Sequence, residues 1–454
     1  MSPPTQGRRE GSLDAPTRHP LDWRGEAFND PARVEAELTR VFDICHGCRR
    51  CFSLCNAFPT LFDAIDASAS GELDGVERSV YWKVVDHCYL CDMCFMTKCP
   101  YVPPHPWNVD FPHLMLRAKA LRAQERGVSL RDRALAATET VGRLAGIPVV
   151  AEVVNAVNHT RIGRVLLEKL AGVHRDAPVP QFHARTARKR LAAQGNAVAD
   201  AAAAPVAATP ETRGRVALFI SCYGDRNEPE LASDLVAIFE HNGIAVRLVP
   251  QERCCGMPSL ELGDLERVAS LKAFNIPQLQ AVIAAGYDIV APIPSCVLMF
   301  KQELPLLFAD DAAVKAVGAR IFDPFEYLML RHRAGLLRTD FKTPLGKVSY
   351  HVPCHLRVQN IGLKTRDLLQ LVPGTTLEVI ERCSGHNGTY AVKKEFRAAS
   401  VKIGLPVMQK VRDGSADYYA SDCPMAGHQI ESELPVARAP THPLTLLRIA
   451  YGLA

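Results

Sequence analysis

Two spacings of apolar residues divide the chain. Between 111 and 183, stretches such as LMLRAKALRAQ and VGRLAGIPVVAEVVNAV carry apolar side chains at three- and four-residue intervals, which predicts helices. From 215 onward the texture changes. Short β-branched runs (VALFIS, VRLVPQER, YDIVAPIPS, KVSYHVP, LEVIER, ADYYASD) alternate with helical stretches, which predicts parallel strands in an α/β architecture. The two regions are joined by ARTARKRLAAQGNAVADAAAAPVAATPETRG, residues 184–214, an Ala-, Pro- and Arg-rich segment without aromatics that reads as a linker. Residues 1–25 are polar and Pro-rich without periodicity and are expected to form a disordered leader; 436–454 are expected to form a C-terminal tail.

Cysteines fall on this pattern in a regular way. Cys45, Cys48, Cys51 and Cys55 form one run, and Cys88, Cys91, Cys94 and Cys99, followed by Pro100, form a second. Each opens as C-x2-C-x2-C, the spacing with which one loop places three thiolates around an iron-sulfur cube, and each closes with a fourth Cys. In two-cluster ferredoxins the fourth Cys serves the other cluster. Cys45, Cys48, Cys51 and Cys99 are therefore expected on one [4Fe-4S] cluster, and Cys88, Cys91, Cys94 and Cys55 on the other, in a module spanning 30–110. Structural zinc is the competing reading, but it needs two separated pairs rather than three thiolates on one short loop, twice. The second run has four residues between Cys94 and Cys99 where three are usual, and the first lacks the following Pro.

In the α/β region each strand-like run leads into a cysteine. The six points are Cys222, the Cys254-Cys255-Gly256 triplet, Cys296, Cys354, the Cys383-Ser384-Gly385 triplet and Cys423. Ligands of open α/β sheets sit at the carboxyl ends of the strands, so these cysteines converge on one point per module. The modules are expected over 215–335 and 336–435. The first holds four thiolates, Cys222, Cys254, Cys255 and Cys296, enough for one further cluster. The second holds three, Cys354, Cys383 and Cys423, because Ser384 stands where a second Cys would complete the pair. Three thiolates need an outside ligand: water, a substrate, or one of His351, His355, His386 and His428. A fourth cluster or a cluster-free remnant both remain open there. Gly256, Gly385 and Gly388 suit either turns with positive φ or backbone N–H groups approaching cluster sulfur.

Composition narrows the class. With 454 residues, 48% hydrophobic and 22% charged, the chain can form about three globular domains. A formal charge of +4, with basic residues scattered except at Arg185, Arg188, Lys189 and Arg190, does not suggest nucleic-acid binding. No stretch approaches about eighteen uninterrupted apolar residues, and the N-terminus lacks the apolar core of a signal peptide, so a cytoplasmic location without a transmembrane segment is expected. Fifteen cysteines in such a chain argue for thiolates kept for metal. No G-x-G-x-x-G, G-x-x-x-x-G-K-S/T or H-E-x-x-H motif is present.

The order Cys, about thirty residues, Cys-Cys-Gly, about forty residues, Cys resembles the cysteine-rich CCG domain found twice in heterodisulfide reductase subunits. Together with the ferredoxin-type runs and the segment Cys383-Ser384-Gly385-His386-Asn387-Gly388-Thr389-Tyr390 with Lys393, Lys394, Glu395 and Asp422-Cys423, the chain resembles the CCG-domain iron-sulfur oxidoreductases, among them the C subunit of anaerobic glycerol-3-phosphate dehydrogenase. The family motif ends in C-x2-C, whereas this chain has Met299 and Ala426 at the last position. A five-thiolate noncubane cluster is thereby put in doubt. The resemblance implies an α+β two-cluster ferredoxin-like helical module followed by two repeated α/β CCG modules. It implies electron transfer from a flavoprotein dehydrogenase or other redox protein to a quinone, a membrane-associated subunit or a protein acceptor, with peripheral attachment at the inner face of the membrane. The alternative is a reductase of a disulfide, peroxide or small acceptor at an open-coordination cluster in the second CCG module. No catalytic residue is assigned.

Overall fold

The computed structural model describes residues 15–97, 99–193, 207–434 and 440–453. It divides into two compact units, Met1–Arg126 and Gly127–Ala454. The helix Phe111–Arg126, at the start of the stretch expected to be helical, thus belongs with the first unit.

Among its described residues the first unit is helical and contains no strand, so the α+β expectation for this part of the chain is corrected. The helix Pro31–Cys48 starts on an Asp30 cap, whose carboxylate accepts from the Ala32 and Arg33 N–H groups, with Pro31 in the first turn. It buries Val34, Leu38, Val41 and Phe42, one stripe at helical spacing. Phe42 meets Tyr81 of the helix Arg78–His87 at 5.0 Å between ring centroids, and Phe58 meets Phe111 at 4.7 Å. Residues 15–25, expected as part of a mobile leader, are tied down. Trp23 is buried, and Arg18 reaches Asp92 at 2.7 Å and Asp110 at 3.1 Å. Releasing an Arg held between two partly buried carboxylates would remove an opposite charge from each, which fixes the segment. The leader reading for 1–14 lies outside the described residues.

The second unit holds two parallel sheets. One is ordered β2-β1-β3-β4, with β1 Arg215–Leu218, β2 Ala245–Leu248, β3 Asp288–Val290 and β4 Ile321–Phe322. The other is ordered β6-β5-β7, with β5 Gly346–His351, β6 Thr375–Ile380 and β7 Tyr418–Ser421. In each sheet the first strand of the module is central: Val216 pairs with Val246 on one side and Asp288 on the other, and Tyr350 pairs with Val379 and Ala420. The equivalence is the repeat seen in the sequence. β4, two residues long, extends the first sheet beyond the three anticipated strands.

Two expectations about connecting segments are corrected here. Ala187 and Leu191, four residues apart in the segment read as a linker, face the first core from the helix Ala187–Ala193. The remainder of that reading, 194–206, lies outside the described residues. The supposed tail contains the helix Pro443–Tyr451, capped by His442, whose ring accepts from the Leu444 N–H. Leu444, Leu447 and Tyr451 pack with the first core, while Leu446 and Ala450 pack with the second. One apolar helix thus joins both cores, as the spacing in PLTLLRIAY allows. Of the tail, 435–439 and Ala454 lie outside the described residues.

Candidate metal centres

In the first unit both cysteine runs are shaped by helix ends. Cys45 and Cys48 lie on the last turns of Pro31–Cys48, where Arg49 turns left-handed (φ 51°) and its N–H bonds the Cys45 carbonyl. Cys88 ends the helix Arg78–His87, and Leu90 and Asp92 then adopt φ of 54° and 60°, folding the second loop back on itself. Asp92 is held there by Arg18, and the Lys119 ammonium donates to the Cys88 carbonyl. Burial raises the Cys45 thiol well above its ordinary pKa, with Cys51, Cys99 and Cys48 adding to the rise. Cys94 is raised likewise, by burial and by Cys51, Cys91, Cys88 and Cys55. Thiols from the two runs therefore lie within electrostatic reach of one another. Burial thus keeps the protons on Cys45 and Cys94 unless a cation takes their place, so metal uptake there would release protons.

The first sheet delivers its cysteines through three loops beyond β1, β2 and β3. Cys222 sits in the short helix Ser221–Arg226; Ser221 is itself left-handed (φ 75°). The Glu252 carboxylate accepts from the backbone N–H groups of Ile220 and Ser221, both at 3.1 Å, which holds that bend. Asn275 pins the next loop, accepting from the Arg253 N–H at 2.8 Å and donating to the Cys254 carbonyl at 3.1 Å. Gly256 has φ 103°, closed to most L residues, and Met299 packs beside it where a family cysteine would stand. Cys254, burial and Cys296 raise the Cys222 thiol well above its ordinary range, and Cys254, Cys296 and burial do the same to Cys255. Cys254 is instead lowered, because Cys222 and Cys255 hydrogen-bond to it.

Two residues that the sequence reading did not single out reach this site. Thr138 Oγ1 is 3.1 Å from Cys222 Sγ and 3.9 Å from Cys254 Sγ, and Glu139 Oε2 accepts from the Cys254 N–H at 3.3 Å. They come from the helical segment more than eighty residues upstream of Cys222, and nothing in their local sequence marks them.

The second sheet brings Cys354, Cys383 and Cys423 together. Burial raises the Cys354 thiol well above its usual range, with Cys383 and Cys423 contributing, and pushes Cys423 up to about 11. The Gly385 N–H donates to Cys383 Sγ at 3.3 Å, and Cys383 Sγ lies 3.6 Å from Asn387 Oδ1. Ser384 is buried, and its Oγ accepts from the His386 N–H at 3.4 Å. Gly388, left-handed at φ 59°, leaves room for Glu261 of the first module, which a Cβ would strike. Lys393 and Glu395 dock a helical segment instead of lining the thiols, pairing with Asp132 at 2.8 Å and Arg131 at 2.7 Å.

The two strand-end sites face each other. Ser295 Oγ, beside Cys296, bonds His355 Nδ1, beside Cys354, at 2.7 Å. Glu228 bonds His428 Nε2 at 2.9 Å, and Cys423 feels the charge of Cys296. Among the described residues, no three His, Cys, Asp or Glu side chains gather round a single point as one metal ion requires. The donor sets, soft thiols in interacting groups, fit a cluster that takes its ligands around a periphery.

Comparison with known proteins agrees with this arrangement. The cysteine-rich CCG domain model matches twice, at 216–301 and 348–431. The C subunit of anaerobic glycerol-3-phosphate dehydrogenase from Escherichia coli K12 is 28% identical over 352 residues, covering 76% of this chain and 83% of that protein. Lactate utilization protein A of Exiguobacterium sp. is 30% identical over 186 residues, 39% of this chain and 74% of that protein. The B subunit of fumarate reductase (CoM/CoB) from Methanothermobacter marburgensis is 26% identical over 225 residues, 48% of this chain and 42% of that protein. With its doubled cysteine-rich domain and these relatives, the chain belongs to the CCG-domain iron-sulfur oxidoreductase family.

Proposed function

We propose that this chain is an iron-sulfur electron-transfer subunit that takes electrons from a partner dehydrogenase and passes them to a quinone or protein acceptor. The observation that carries this reading is the gathering of cysteines into separate interacting sets, in a chain with no nucleotide-binding motif of its own. A two-electron oxidation of an organic substrate needs a hydride acceptor such as flavin or nicotinamide, so that step falls to a partner. Relatives named as subunits of dehydrogenases and reductases support the same division of labour. Bound clusters would supply one-electron storage at potentials set by ligands, hydrogen bonds and exposure.

In this reading the first unit is a two-cluster ferredoxin-type module, with Cys45, Cys48, Cys51 and Cys99 on one [4Fe-4S] and Cys88, Cys91, Cys94 and Cys55 on the other. Cys222, Cys254, Cys255 and Cys296 hold a further cluster, and Thr138 tunes it by donating to the Cys222 sulfur. Among the described residues, no single helix is long and apolar enough to cross a membrane. The segment Thr138–Ala171 nevertheless exposes Leu144, Val149, Val153, Ile162 and Leu170, each more than half exposed. That apolar face supports docking on a partner or membrane-associated subunit from the cytoplasmic side.

The test is anaerobic reduction of the purified chain by a low-potential donor, followed by mixing with a soluble menaquinone analogue. Cluster absorbance bleached by the donor should return on mixing. A chain that takes up electrons but never gives them to quinone or to a high-potential acceptor protein would refute the relay.

A further inference from the structure

The second CCG module has three thiols where a cluster needs four ligands, and four histidines stand near them in sequence. Hydrogen bonding separates the four. His351 is fully engaged, its Nδ1 with Ser421 Oγ and its Nε2 with the Arg382 carbonyl, both at 3.0 Å. His428 is engaged at both nitrogens, by Glu431 at 3.0 Å and Glu228 at 2.9 Å. His355 is anchored through Nδ1 to Ser295. His386 differs: both its ring nitrogens are buried and neither has a hydrogen-bond partner.

Two unsatisfied nitrogens on one buried imidazole are rare, because the ring forfeits the hydrogen bonds it would make with water. Such a group calls for a partner of its own. Its place is informative. His386 shares one tight turn with Cys383, and its ring lies within electrostatic reach of His355 and His428. His355 follows Cys354 directly, and His428 is on the helix that begins right after Cys423. Two glycines fix the turn: a Cβ on Gly385 would lie 2.1 Å from the Ser400 carbonyl oxygen, and one on Gly404 would lie 2.3 Å from the Ser384 carbonyl oxygen. The imidazole is therefore carried on the turn that holds Cys383, three residues beyond it, with nothing bound at its nitrogens.

We propose that His386 completes the ligand set of the second module, so that Cys354, Cys383, Cys423 and His386 together hold an iron-sulfur cluster. The inference rests on the reading that the thiols of this chain bind such clusters. A neutral imidazole in place of a thiolate removes one negative charge from the ligand set, and imidazole ligation raises the potential of iron-sulfur centres. The second module then serves as a higher-potential site facing the four-thiolate site, and the missing cysteine is replaced in function instead of lost.

The test uses the full chain, purified anaerobically and reconstituted with iron and sulfide, with pulsed electron paramagnetic resonance for nitrogen coupling, iron counts and a redox titration. Wild type should show one reduced signal strongly coupled to nitrogen, absent in Cys354→Ser and His386→Ala but retained in His355→Ala. His386→Cys should keep the wild-type iron count, lose the nitrogen coupling and shift that signal to lower potential, which excludes misfolding as the cause. Coupling that survives His386→Ala, coupling that vanishes in His355→Ala instead, or an iron count unchanged in Cys354→Ser would overturn the proposal. Signals from the other cysteine sets persisting in every variant would then show that only the proposal has failed. Their absence from wild type would overturn both it and the electron-transfer reading.

Discussion

Gly404 sets two well-characterised effects against each other. It lies within the helix Arg397–Asp413, where replacing Gly by Ala ordinarily stabilises by about 1 kcal/mol through helix propensity. Yet a Cβ there would sit 2.3 Å from the Ser384 carbonyl oxygen and 2.8 Å from Met408 Cε. Met408 can swing away; the carbonyl cannot, because the next residue, Gly385, is itself clamped on the same helix by a 2.7 Å bond from Ser400 Oγ to its carbonyl. Relieving the contact requires the Cys383–Gly388 turn to move by roughly 1 Å, and overpacking of that kind costs about 1–3 kcal/mol. With backbone on both sides the clash outweighs propensity, and Gly404→Ala should be destabilised by up to about 2 kcal/mol net. Hydrogen exchange of the anaerobic protein checks this locally, with faster exchange expected in the helix Arg397–Asp413 and unchanged protection in β1 to β4. A variant whose helix exchanges more slowly than wild type would show that the turn is not packed on it as described.

Other perturbations test separate parts of the account. Thr138→Val removes the hydroxyl 3.1 Å from Cys222 Sγ while keeping its shape; since donors to sulfur favour the reduced state, the midpoint potential of the first CCG module should fall, and an unchanged titration would exclude Thr138 from that role. Arg18→Met removes the guanidinium from Asp92 and Asp110, a loss of about 3 kcal/mol, and should cost the first unit iron on mild heating; equal iron retention would contradict it. Although burial opposes it, His113 and Arg18 hold the Asp110 carboxyl below the usual range, so this contribution is present at neutral pH and is lost as pH falls below about 4. Asp323 behaves oppositely: burial, with Asp422 and Glu326 nearby, pushes its carboxyl up to about 8. The unfolded chain ionises it near pH 4 while the folded chain keeps the proton, so stability falls as pH rises from about 4 to about 8. Asn is an equally good N-cap, and Asp323→Asn should flatten that slope and gain stability relative to wild type at pH 8; parallel denaturation profiles would refute it.

What could be read from sequence depended on whether the signal was local. Six strands were legible because each is a β-branched run ending near a cysteine, whereas β4, only Ile321–Phe322, is too short to show a period. The cysteines announced themselves by spacing. Ala187, Leu191 and the helix Pro443–Tyr451 were misjudged because an Ala-rich segment and a chain end look like linker and tail until the cores they fill are known. Arg18 shows the same failure, since its carboxylate partners lie 74 and 92 residues away. Thr138 and Glu139 depend on a long-range approach to Cys222 and Cys254 that no motif encodes. The ambiguity among His351, His355, His386 and His428 could be narrowed only by counting the hydrogen bonds of each ring.

The central claim is that the cysteines hold redox-active iron-sulfur clusters, and counting metal on the anaerobically purified chain tests it most directly. Iron and acid-labile sulfide should be present in equal amounts, about twelve of each for the three four-thiolate sets and about sixteen with the second CCG module filled, and the clusters should be reducible in an electron paramagnetic resonance titration. Zinc in place of iron, or iron without sulfide and without any reducible signal, would contradict the account.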